Sequence, residues 1–149
     1  MLPFSAFGIH CPRKPSKGYV EAPKTLGEML RNKRLERCLF QKEVALLLDV
    51  SEDTITYWEN GRTSPLIKYY PKIIEFLGYV PIEINSTTLS GRITLYRYMN
   101  GVSYKELGIL LGVDGTTVRS WELKQFIPSK STLNCVWKWF SKNLKTEVL

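Results

Sequence analysis

Catalytic and metal chemistry need groups that this chain of 149 residues scarcely offers. His10 is its one histidine, and Cys11, Cys38 and Cys135 lie far apart with no CxxC pair among them. Four well-spaced ligands for zinc are not to be found, nor is an HExxH pair or a glycine-rich phosphate loop. His10 and Cys11 read as plain tail residues, and the odd, scattered cysteines as reduced thiols of an intracellular chain. No metal, cofactor or small-molecule substrate is expected, and no enzymatic role. What remains is polar and ionic pairing with a large partner. A net charge of +7 and a pI near 9.4 favour a polyanion.

The charge is unevenly placed. Residues 1–23 carry +2, residues 24–78 only +1, and residues 79–149 +4. Any affinity of the middle segment for an anion must therefore come from placed residues rather than bulk charge. Pro3 and Gly8 break up the first residues, so no secretory signal is expected. No run approaches the roughly 18 apolar residues of a membrane span.

The elements that would place such residues occur twice. An ungapped offset of 63 residues aligns 25–68 with 88–131, and 12 of the 44 pairs are identical, against about three expected by average residue usage. They include Arg34/Arg97, Trp58/Trp121 and Glu59/Glu122, with the shared Trp-Glu dipeptide as the most telling match. Conservative pairs such as Val44/Leu107, Leu46/Ile109 and Ile55/Val118 fall where helical periodicity expects burial. The expected organisation is an irregular basic arm over 1–23, a first domain over 24–78, a short extended linker over 79–87, and a diverged second domain over 88–149.

Within the first copy, Thr25 and Glu28 form a capping box that opens a helix running to about Arg37. A second helix starts at Gln41 and turns Val44, Leu47 and Leu48 inward. A third follows the N-cap Ser51 with Glu52 and Asp53 at its positive end, buries Ile55 and Trp58, and stops at Asn60-Gly61. Pro71 suits the first turn of a closing helix bearing Ile73, Ile74, Phe76 and Leu77. The second copy repeats the plan and ends in a helix near 131–143 with Leu133, Val136, Trp137 and Phe140 on one face. The fold class is all-α.

The string QKEVALLLDVSEDTITYWENGR, from Gln41 to Arg62, resembles the lambda-repressor/Cro-like (Xre) helix-turn-helix family. Residues 25–78 carry the likeness well, and 88–131 more loosely through the repeat, which gives two tandem bundles of that type. Small residues are needed where the two helices cross, as at Ala45 and Gly108. The link between them asks for a left-handed residue, as at Asp49 and Gly112. The resemblance implies an ion pair between Arg34 and Glu59, repeated as Arg97 and Glu122, that sets the angle of the third helix. It also implies that this helix enters the major groove of double-stranded DNA.

Carried over by position, Gln41 looks like the phosphate contact and Glu52, Asp53 and Tyr57 like base readers. Ser51 and Thr56 stand beside them, and Asn60, Arg62 and Thr63 hold the backbone beyond. Acids at 52 and 53 depart from the family pattern. Two roles are open to them, capping the helix or accepting from a cytosine amino group.

The reading face of the second copy holds Gly115, Thr116, Arg119 and Ser120, with Lys124, Gln125 and Lys130 nearby. Arg119 could pair with guanine O6 and N7. Because Tyr104 replaces the glutamine and Leu123-Lys-Gln replaces Asn60-Gly-Arg, this copy could instead serve dimerisation or partner recruitment. The expected function is sequence-specific DNA binding by a regulator of bacterial, phage or mobile-element type, in the cytoplasm at the nucleoid. A homodimer and a self-sufficient tandem chain are both compatible with it.

Overall fold

Thr25 opens the first helix as its spacing from Glu28 requires. Its hydroxyl accepts from the Glu28 N–H at 3.2 Å, and the Glu28 carboxylate accepts from the Thr25 N–H at 3.0 Å. From there a computed structural model, which describes residues 17–144, places α1 (Leu26–Glu36), α2 (Gln41–Leu48), α3 (Glu52–Glu59), a 3-10 turn (Ile67–Tyr69) and α4 (Tyr70–Leu77). After them come α5 (Leu89–Asn100), α6 (Tyr104–Leu111), α7 (Gly115–Glu122) and α8 (Lys130–Asn143). No strand occurs among the described residues. The chain divides into two compact units between Pro81 and Ile82.

In the first unit, Leu30, Val44, Leu48, Ile55, Trp58, Ile73, Phe76 and Leu77 pack into one core. Each fully buried side chain of this size adds about 1.5–3 kcal/mol from apolar burial. Ser51 caps α3, its hydroxyl accepting from the Thr54 N–H at 3.2 Å. Gly78 closes α4 at φ +83. Gly27 has no room for a side chain, since a Cβ there would strike the Trp58 carbonyl. The start of α1 thereby lies directly against the end of α3.

The expected basic arm lies largely outside the described residues, as do His10 and Cys11. Of its described part, Val20 exchanges two hydrogen bonds with the buried side chain of Asn32, at 2.9 and 2.7 Å, which pins the chain to α1 before the helix begins. Cys38 is disulfide-bonded, which corrects the expectation of reduced thiols at that residue. Distance along the chain is weak evidence against a bridge, because loop-closure entropy grows only slowly with loop length. Cys135 is free and exposed.

The second unit has its own core of Ile93, Leu107, Val118, Trp121, Val136 and Phe140. Tyr96, Trp139 and Phe140 extend it edge to face, Tyr96 and Trp139 at 4.9 Å and Trp139 and Phe140 at 5.3 Å between ring centres. Both ends of α6 and α7 fall 63 positions after those of α2 and α3, and α5 begins 63 after α1. The left-handed residues keep the same interval: Cys38, Asp49 and Gly61 in the first unit, Gly101, Gly112 and Lys124 in the second. None of these three pairs shares a residue type.

One expectation of burial fails in both units. Leu46 and Ile109 are 82% and 71% exposed. Positions 44, 45 and 48 already define the inward face of α2, and position 46 falls on the far side of the helix from all three.

Candidate nucleic-acid interface

The geometry of α3 is set by a carboxylate at its far end. Glu59 is buried, and Arg34 grips it with two parallel hydrogen bonds, Nε to Oε1 at 2.6 Å and Nη2 to Oε2 at 2.8 Å. A third donor of Arg34 reaches the Leu39 carbonyl at 3.2 Å, so one guanidinium ties α1 to both the α1–α2 turn and the end of α3. Burial pushes the Glu59 carboxyl up. Hydrogen bonds from Arg34 and Gln41, with the charges of Arg34 and Arg31, more than offset this and hold it below the ordinary carboxylate value. The ion pair expected from the family likeness is thus present and bidentate.

Gln41 is drawn into the same network. Its Nε2 donates to Glu59 at 3.0 Å, and its Oε1 accepts from the Thr56 hydroxyl at 3.1 Å. The amide is therefore locked against α3 with one N–H left over. Arg31 joins from α1, its Nη2 donating to the Asn60 side-chain oxygen at 2.7 Å and to the Glu59 carbonyl at 3.2 Å. Sequence reasoning passed over Arg31. Its position three residues before Arg34, on the same helix face, was the available signal.

The other residues assigned to contact separate into two groups. Ser51 spends its hydroxyl on the helix cap, and Thr56 spends its on Gln41 and the Glu52 carbonyl. Glu52, Asp53 and Tyr57 are exposed along α3, and the two acids form no ion pair among the described residues. Asn60 is held by Arg31 beyond the helix end. Arg62 folds back, its backbone N–H donating to the Tyr57 carbonyl at 2.9 Å and its guanidinium lying 5.8 Å from the Tyr57 ring centre. Thr63 is exposed beside it.

At the equivalent place in the second unit, Glu122 takes a hydrogen bond from Arg97 Nη1 at 2.8 Å and another from the Thr94 hydroxyl at 2.7 Å. The Arg97 guanidinium carbon lies 3.5 Å from the Tyr104 ring centre, leaving its buried Nε without a partner. Thr116 is occupied by the α7 cap, donating to Asp114, and Ser120 donates to the Thr116 carbonyl at 2.9 Å. Arg119 and Lys124 are exposed, Lys124 in a left-handed conformation at φ 57. Gly115 belongs to packing rather than to a reading face: a Cβ there would come within 2.9 Å of the Lys105 backbone.

Two helices joined at a left-handed corner, with the second locked at its far end by a buried ion pair, agree with what sequence comparison gives for the first unit. Its residues match a family model described as Helix-turn-helix over positions 30–85. Residues 30–85 form an Xre/lambda-repressor-like helix-turn-helix domain. The family is a DNA-binding one, typically without enzymatic activity. The match ends before α5 begins. No curated protein and no solved structure matches the chain. Among the described residues no group of three potential metal ligands occurs, and no helix is long and apolar enough to cross a membrane.

Proposed function

We propose that the protein is a sequence-specific binder of double-stranded DNA that acts as a transcriptional regulator at the nucleoid, with α3 of its helix-turn-helix domain in the major groove. The observation that carries this reading is the outer face of α3. Glu52, Asp53 and Tyr57 stand exposed on a helix whose angle is fixed from behind by Glu59, Arg34 and Arg31. The leftover N–H of Gln41 and the guanidinium of Arg62 hold phosphates at the two ends of that helix. Ser51, Thr56 and Asn60 shape the surface while serving the fold.

Residues 88–149 act, in this proposal, as a diverged second copy joined by a linker over 79–87. The shared helix bounds, the three left-handed positions and the repeated buried Arg–Glu pair support it. Its α7 then lays Arg119 against a guanine, with Lys124 on phosphate and Thr116 and Ser120 beside them.

Selection from a randomised duplex library tests the whole reading. A defined consensus should emerge, and Gln41→Ala or Arg62→Ala should weaken binding to every sequence and lower the slope of log affinity against log salt by about 0.9 per lost phosphate contact. Slopes equal to that of the unaltered protein would remove both phosphate assignments. Arg119→Ala should relax preference at one base pair by about 1–3 kcal/mol. An unchanged consensus would take α7 out of base reading.

One observation favours a second reading, a DNA-bound adaptor whose second unit recruits a partner or a further copy of the chain. Leu123, Phe126 and Ile127 are exposed just past α7.

A further inference from the structure

The stretch after α7 is where the second unit departs most from the first. Leu123, Phe126 and Ile127 are 49%, 71% and 89% exposed. At the same interval the first unit has Asn60, Thr63 and Ser64, all polar. Phosphate oxygens accept hydrogen bonds, and an apolar side chain has none to give, so these replacements forgo backbone contact rather than adjust it. Three large apolar groups left in water within five residues form a surface that gains free energy once covered.

Its border is cationic. Arg119, Lys124 and Lys130 are exposed around it, while the one acid between them, Glu122, is turned inward to Arg97. We propose that Leu123–Ile127 docks an acidic, amphipathic segment of a partner protein, its apolar side chains seated on Leu123, Phe126 and Ile127 and its carboxylates facing Lys124 and Lys130. Charge decides the occupant. A second copy of the same surface would bring these cations face to face, and duplex DNA would match the cations while leaving the apolar groups without a counterpart. The proposal deepens the adaptor reading: it assigns Lys124 to the partner instead of to phosphate and leaves Arg119, on the exposed face of α7, free for DNA.

The test pans the immobilised full chain against a phage-displayed library of random peptides a few helical turns long. Winners are then made as labelled synthetic peptides for titration. The expected result is a consensus of Asp and Glu interleaved with apolar residues at helical spacing. Phe126→Ser combined with Ile127→Ser should weaken binding at least about tenfold, with circular dichroism unchanged because both side chains lie outside the core. Lys130→Glu should weaken the same peptides by a smaller factor that fades in high salt, giving an independent variant at the start of α8, where an acid is well tolerated.

A consensus without acids, or titrations indifferent to both sets of variants, would overturn the proposal. So would a Phe126→Ser/Ile127→Ser chain that loses affinity for duplex DNA instead, or one that falls from dimer to monomer in light scattering while still binding the peptides. Should the unaltered chain bind such peptides through these residues yet select no DNA consensus, the DNA reading fails and this one stands.

Discussion

The two third helices end on glutamates at the same position, Glu59 buried and Glu122 nearly so, and their neighbours satisfy them in different ways. Around Glu59 stand two guanidiniums and an amide: Arg34 with two hydrogen bonds, Gln41 with one, and Arg31 at 3.5 Å. Around Glu122 there is one guanidinium with a single hydrogen bond, a threonine hydroxyl, and a phenol whose ring lies against the arginine. At the interval of 63 residues, Thr94 stands where the first unit has Arg31 and Tyr104 where it has Gln41. What both units keep is a desolvated carboxylate locking the first helix to the third. The donors that surround it are interchangeable so long as its oxygens are satisfied. The exchange also alters what reaches the surface. The first unit keeps an amide N–H and a second cation at the corner, and the second unit covers that corner with an aromatic ring.

The largest test of this contrast removes the carboxylates. Glu59→Ala strands Arg34 with two of its donors arranged around a missing partner, and should cost the first unit about 3–5 kcal/mol. Glu122→Ala should cost the second unit less, because one hydrogen bond from Arg97 is lost instead of two. Urea titrations followed at the Trp58 and Trp121 indole signals by NMR read the units separately. Equal losses would mean that the number of donors around the acid does not matter.

Next in size is the helix crossing. Ala45 fits in the first unit, but a Cβ at Gly108 would sit 2.7 Å from the Val113 carbonyl oxygen and 2.9 Å from the Gly115 N–H nitrogen, both backbone atoms of the adjoining turn. Gly108→Ala should destabilise the second unit by about 1–3 kcal/mol, even though alanine is the better helix former. A neutral or stabilising result in the Trp121 signal would show that the second crossing is no tighter than the first.

The smallest effects separate the units by pH. Glu59 titrates below the ordinary carboxylate value near 4.5, so the stability it adds is complete above that value and is lost as pH falls through the folded value. Tyr104 behaves in the opposite sense. Burial and then the adjacent Glu122 carboxylate hold its phenol above the ordinary value near 10, so its contribution is complete below that value and is lost as pH rises. Acid should therefore loosen the first unit through Glu59, and Glu59→Gln should flatten the acid limb of its stability profile. Tyr104→Phe should do the same to the alkaline limb of the second. Profiles that keep both limbs in these variants would assign the pH dependence to other groups.

Much of this frame was legible in the residues because it is local. The Thr25–Glu28 box, the Ser51 cap, the left-handed Asp49 and Gly112, and the Asn60-Gly61 stop each follow from residues acting within a few positions of themselves. The ion pairs came from family likeness and not from spacing, since Arg34 and Glu59 meet only through the fold. Gln41 was assigned to phosphate with a free amide, whereas Thr56 and Glu59, both on α3, use most of it. Gly115 was placed on a reading face because nothing in the sequence reveals the backbone of Lys105 behind it. Leu46 and Ile109 were counted inward by a misplaced helical period, since the buried positions 44, 45 and 48 put 46, and its counterpart 109, on the outer face.

The left-handed corners carry a consequence for how this architecture can change over time. Cys38, Asp49 and Gly61 mark off two segments of fixed length, and Gly101, Gly112 and Lys124 mark off the same lengths although most residues between them differ. One residue inserted into α3 would swing every later side chain by about 100°, carrying Glu59 away from Arg34 and Trp58 out of the core. The frame behaves as a ruler, permissive toward substitution and intolerant of insertion or deletion. New length has room between Pro65 and the closing helix, where the two units already differ by three residues in where that α-helix begins.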